Sequence, residues 1–201
     1  MTIYKSHNTR KLVLLALLTA IVVVLQYLGA FIRFGPFSVS LVLMPIAIGA
    51  ALVSRLAGGW LGLVFGLVVL VSGDANVFLM LDPVKTVIVV ILKGMLAGLA
   101  AGGAYKLFSG VNRTIGAVAA AIVCPTVNTG IFIIGAALFF MPTITEWGLA
   151  AGFTNVAAFL FLGLAGPNFL FELGLNVILS PAIIRLVQYG QDNFNSRKPG
   201  L

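Results

Sequence analysis

Residues 12 to 31, LVLLALLTAIVVVLQYLGAF, carry no charged side chain, and apolar runs of this kind recur to the far end of the chain. About 20 apolar residues in a helix cover roughly 30 Å, the thickness of a hydrocarbon layer. Six such helices can be drawn, over residues 11–31, 39–54, 58–72, 83–107, 115–140 and 163–187. The expectation is an all-α integral membrane bundle of six transmembrane helices, multi-pass in the cell membrane. Only 8% of the residues are charged, against roughly a quarter in a soluble domain. No connection is long enough for a separate soluble module, so one domain is expected over residues 1–201. Its bundle covers 10–188, with polar tails at 1–9 and 189–201. The basic stretch from Lys5 to Lys11 followed by an apolar run has the parts of a secretory signal. That run is too long for one, and it reads as an uncleaved first helix.

Lys and Arg orient the bundle. With both termini on one side, that side holds Lys5, Arg10, Lys11, Arg55, Lys106, Arg113, Arg185, Arg197 and Lys198, nine of the twelve basic residues. Both termini are therefore expected to be cytoplasmic. The net charge of +7 is spread along the connections, which is membrane topology and not the compact basic face of a nucleic-acid partner.

Glycines recur every four residues in the third and fourth helices, at Gly58, Gly62 and Gly66 and at Gly94, Gly98 and Gly102. Such faces let backbones approach closely where lipid offers little hydrophobic drive. Close packing is the expected use; lining a ligand cavity is the alternative.

The polar groups inside the apolar runs are the candidates for chemistry. Lys93 lies about ten residues beyond Pro83, so a helix carries its ammonium roughly 15 Å into the layer. Asn168, Glu172 and Asn176 are spaced by four and share one helix face. Glu172 is expected roughly 9–14 Å below the outer surface for a helix beginning at residues 163–166. Asn128 reaches a similar stratum from the fifth helix. Two readings stand side by side: Lys93 and Glu172 form a buried ion pair that locks two helices, or the group is the polar floor of a cavity that holds a ligand. Arg33 is either a loop residue near the headgroups or a cationic contact at the cavity mouth. Cys124, the only cysteine, excludes an internal disulfide and reads as a small buried residue.

Absences narrow the class further. The chain has no G-x-x-x-x-G-K-[ST] phosphate loop. His7 is its only histidine and lies in the amino-terminal tail, so zinc-hydrolase and Ser-His sites lack their parts. No enzyme activity, cofactor or metal site is expected.

Taken together, RKLVLLALLTAIVVVL, MPIAIGAAL, LKGMLAGLAAGGAYK and CPTVNTGIFIIG resemble the substrate-binding subunits, or S-components, of energy-coupling factor (ECF) vitamin transporters. The resemblance covers residues 10 to 188. It implies a high-affinity receptor for a water-soluble vitamin, paired with a transmembrane coupling subunit and two cytosolic ATPases. Ala16 and Ala20, one turn apart on the first helix, match the family's docking face for the coupling subunit. Ligand contacts are expected from Lys93, Asn128, Asn168, Glu172 and Asn176, with Arg33, Lys85 and Phe169 contributing. Riboflavin is favoured over pantothenate or cobalamin, since Phe169 and Asn168 suit a flat ring, whereas pantothenate would lean on Arg33, Lys85 or Lys93. From other classes come a self-sufficient secondary transporter or channel, using Lys93 and Glu172 as an ion relay, and a structural subunit without a ligand.

Overall fold

A computed structural model describes the backbone over residues 2–29, 33, 34, 37, 38 and 41–196, and side chains over residues 9–29, 41–185 and 188. Helix α1 spans Thr2–Gly29, and two-residue strands Arg33–Phe34 and Phe37–Ser38 pair antiparallel after it, Arg33 opposite Ser38. Then come α2 (Leu43–Leu52), α3 (Arg55–Ser72), α4 (Asn76–Leu79), α5 (Pro83–Ser109), α6 (Arg113–Phe139) and α7 (Met141–Ala150). A short α8 (Val156–Ala158) runs through a π-helical segment, Phe159–Ala165, into α9 (Gly166–Ser196).

Among the described residues five helical stretches are long and apolar enough to cross a membrane: Thr9–Gly29, Arg55–Ser72, Pro83–Ser109, Arg113–Phe139 and Val156–Arg185. The second expected span is the ten-residue α2, about 15 Å long. Leu43, Ile46 and Ala47 on α2 are fully buried, and α2 packs against α1, α3, α5, α6 and α9. It fills the centre of the bundle, and the apolar core gathers around it, with Val22, Leu61, Phe65, Ala97, Ala120 and Ile184.

Two expectations are corrected. Between the expected helices 115–140 and 163–187, in a mildly polar stretch expected as a loop, MPTITEWG forms the first part of α7, with Pro142 at the helix start, where its missing N–H costs nothing. The last membrane helix starts at Val156 and not near residue 163. Pro167 explains the π-helical turns before it: it has no N–H to donate, and its ring crowds the preceding turn, which a wider turn relieves. The depth expected for Glu172 was counted from the wrong start.

Helix starts follow simple capping chemistry. Ser54 Oγ accepts from Ala57 N–H at 3.1 Å to open α3, and Asn112 Oδ1 accepts from Thr114 N–H at 2.7 Å to open α6. Asp82 opens α5 ahead of Pro83, with Oδ1 accepting from Lys85 N–H at 3.0 Å. The α3 terminus is Gly73, whose φ of +89° suits a residue without a Cβ.

The glycine ladders bring α3 and α5 into backbone contact. A Cβ on Gly62 would overlap the carbonyl oxygen of Gly94, and one on Gly94 would overlap that of Gly62. Gly58 and Gly98 stand in the same reciprocal relation, and a Cβ on Gly66 would lie 3.0 Å from the Val90 oxygen. Of the two uses open from sequence, these glycines serve packing. Gly62→Val or Gly94→Val is therefore expected to destabilise the bundle by about 1–3 kcal/mol or more, seen as lost monodisperse protein in detergent, whereas Gly103→Ala, which meets no atom within 4 Å, should be neutral.

Candidate functional site

At the end of the bundle where α1 and α3 finish and α5 begins, a half-open cavity encloses about 700 Å³, open solvent at its mouth included. The enclosed part is about 90 Å³, smaller than the roughly 300–1,000 Å³ of a typical small-molecule site, so a ligand of vitamin size would extend into the mouth or widen the cavity. Its polar wall is built by α5, α6 and α9, which contribute Lys93, Asn128, and the pair Asn168 and Glu172. Asn168 and Glu172 are one turn apart and so face the same way.

Lys93 lies between two rings, its Nζ 5.5 Å from the centroid of Phe65 and 5.6 Å from that of Phe132. A cation near aromatic faces is attracted by their negative π-faces. The charges that act on it are the carboxylates of Glu172 and Asp74. Among the described residues no ion pair within 4.0 Å joins Lys93 to Glu172. Glu172 itself is buried at 5% exposure. Lys93 thus shares the cavity with two carboxylates without a direct ion pair to Glu172.

The other expected site residues divide. Asn176 is buried one turn below Glu172; its Nδ2 donates to the Glu172 carbonyl at 2.9 Å and its Oδ1 accepts from Ser180 Oγ at 3.4 Å. It braces α9 and does not line the cavity. Phe169 is half-buried, about 100° around the helix from Asn168, and is also absent from the lining. Lys85 is exposed and its Nζ sits 2.8 Å from Asp82 Oδ2. That ammonium, hydrogen-bonded to Asp82, holds the carboxyl below the usual carboxylate range. Arg33 belongs to the two-residue hairpin, and its side chain lies outside the described residues. Ala16 and Ala20 are both exposed on α1.

Several lining residues were missed. Gln26 on α1, at 2% exposure, donates from Nε2 to Asp74 Oδ2 in the turn after α3, and both line the cavity. A lone amide in an apolar run was the same signal that singled out Lys93. Phe132 and Phe78 supply ring walls, meeting edge to face at 5.8 Å. Phe132 follows Asn128 by one turn and was legible from that spacing. Phe78 sits on α4, in the connection between the expected helices 58–72 and 83–107. Phe78 also packs on Phe140 and Trp147, at 5.0 and 5.7 Å between centroids, which ties α7 to the cavity wall.

No curated protein matches the chain in sequence. In fold it is similar to ThiT from Listeria monocytogenes, with a TM-score of 0.66 and 19% identity over 90% of this chain and 96% of that one. At that identity the likeness is one of fold. The family model for the ECF transporter substrate-specific component matches residues 10–184, which takes in every described membrane-crossing helix almost whole. The chain thus belongs to the ECF transporter substrate-specific component family: a multi-pass membrane protein and a transport subunit.

Proposed function

We propose that the chain is the receptor subunit of an ATP-driven importer and binds a water-soluble vitamin in the cavity between α1, α5, α6 and α9. The observation that carries this reading is the convergence of Lys93, Asn128, Asn168 and Glu172, from three helices, on one half-open space. Polar groups at that depth would otherwise be costly. Energy comes from elsewhere: a transmembrane coupling subunit, docked on Ala16 and Ala20 of α1, and two cytosolic ATPases. In this reading α2 and the five long helices are the six membrane elements, within one domain over residues 1–201, and both termini face the cytoplasm. That side then carries the majority of the basic residues, and the cavity opens outward.

Riboflavin is favoured over pantothenate or cobalamin. Phe78 and Phe132 offer walls for a flat ring, and the Asn128 and Asn168 amides offer hydrogen bonds beside them. Arg33 and Lys85 are assigned to the rim, with Asn176 and Phe169 supporting the ligand-bearing turn of α9. The test is purification from cells supplied with riboflavin. The expected product is yellow with flavin absorbance, and its transport in vesicles requires the coupling subunit and ATPases. Uptake without those partners would instead identify a secondary transporter.

A further inference from the structure

Leu160, Leu164, Asn168 and Glu172 stand four residues apart along the last membrane helix. In an unbroken α-helix each such step overshoots a full turn by about 40°, so the four would fan over about 120°. Here they build one wall. Leu160 and Leu164 are buried in the cluster with Phe78, Phe140 and Ile144, and Leu164, Asn168 and Glu172 line the cavity. The first step falls inside the π-helical segment Phe159–Ala165. Its i→i+5 turns take up one more residue than α-turns, which offsets the overshoot.

Packing fixes both ends of the segment. Upstream, the Phe159 ring lies against Gly148 of α7 and against Gly163, where an added Cβ would come within 3.2 and 2.7 Å of it, and it meets Phe153 edge to face at 5.4 Å. Downstream, α9 packs on α2 and α6. The surplus residue goes outward: Phe161 and Leu162 are 58% and 67% exposed. Gly166 follows the segment, and the Phe161 carbonyl oxygen, five residues back, lies 2.5 Å from where its Cβ would stand. An alanine there cannot keep the wide turn, whereas in a regular α-helix alanine is the most favourable residue.

We infer that the π-helical segment is a positioning element of the site, admitted by Gly166, which turns Asn168 and Glu172 to the cavity while Phe159 stays anchored on α7. Single π-turns within α-helices frequently mark functional sites. The inference rests on the cavity being the vitamin site.

The test uses the full chain carrying Asn168→Cys, with a charged methanethiosulfonate as the probe; Cys124 is fully buried and does not compete. The introduced thiol is expected to react readily. Adding Gly166→Ala forces an α-turn, rotates the thiol by about 100°, one residue's worth, and slows labelling at least about tenfold. Deleting Leu162 as well removes the surplus residue, so both ends regain their phase and labelling returns to the parental rate. Riboflavin affinity, measured with Asn168 intact, is expected to fall at least about tenfold in Gly166→Ala, through hydrogen bonds lost at two side chains, and to recover in the combined variant. A merely destabilising substitution is not rescued by taking a residue out of a membrane helix.

Unchanged labelling in Gly166→Ala, or labelling lost there and not regained in the combined variant, overturns the inference and leaves the receptor reading standing. Should Gly166→Ala fail to fold, the combined variant decides: folded protein with parental labelling supports the inference, and its absence overturns it. Labelling needs no vitamin. A parent chain that labels as expected but binds no water-soluble vitamin therefore defeats the receptor reading by a separate result, and the positioning role falls with it.

Discussion

Glu172→Leu is expected to leave the bundle folded and to weaken ligand binding about 10- to 100-fold, the loss of one charge-assisted hydrogen bond of roughly 1.5–3 kcal/mol. The geometry between Lys93 and Glu172 supports this direction. A locked buried pair loses about 3–5 kcal/mol of stability when one partner is removed, and a second change that removes the other partner restores it. Lys93 has no such bond to Glu172 among the described residues. Its ammonium is shared between two aromatic rings and the field of two carboxylates. With Glu172 gone, Asp74 and the water of a half-open cavity still solvate it. Lys93→Met in the Glu172→Leu background should therefore recover neither stability nor binding. Thermal unfolding in detergent and equilibrium binding of the co-purified compound, measured on both single variants and the double, separate the outcomes. Stability lost in the single variant and regained in the double would restore the locking pair.

The second large effect is expected at the opposite face. Ala16→Trp or Ala20→Trp should leave ligand affinity unchanged and abolish co-purification with the coupling subunit. Neither alanine lines the cavity, and both are exposed one turn apart on α1. Their neighbours Val13, Leu17, Ile21 and Val24 are exposed too, so this side of α1 is an unbroken apolar surface for lipid or another helix. Small residues there permit an axis-to-axis approach that a tryptophan forbids. α1 is also held to α3 by Trp60 Nε1, which donates to Thr19 Oγ1 at 3.3 Å, so the substitution loads a face already backed by the bundle. Unchanged co-purification in both variants would remove α1 from the docking surface.

How far the sequence reads depends on the kind of signal each element carries. The long helices were legible because apolar length in lipid admits one backbone solution. Pro83 announced the start of α5, since a residue without an N–H belongs there; the Asp82 cap ahead of it is seen in the structure. Reciprocal glycine packing followed from two ladders of equal period, although spacing alone did not tell packing from cavity lining. α7 and α4 were hidden for a different reason: they are short, start without a side-chain cap and are stabilised by Phe78, Phe140 and Trp147 stacking across the chain, a tertiary cause that no local pattern reveals. In the site, Asn168 and Glu172 at spacing four line one cavity, and the other expected residues differ from them by rotation and offset. Phe169 turns away by one position, Asn176 drops a turn below the lining, and Lys85 is taken by Asp82 at its own helix start. Gln26 and Asp74 went unseen because their meaning lies in facing each other across 48 positions.

Buried polar side chains of α1, α5, α6 and α9 are read here as surrounding one ligand-binding space. A ligand-bound structure of the purified chain tests it most directly. The account predicts the compound lodged among Gln26, Lys93, Asn128 and Glu172, with its ring against Phe78 and Phe132. A compound bound elsewhere, or a cavity filled by repacked side chains while ligand is bound, would contradict it.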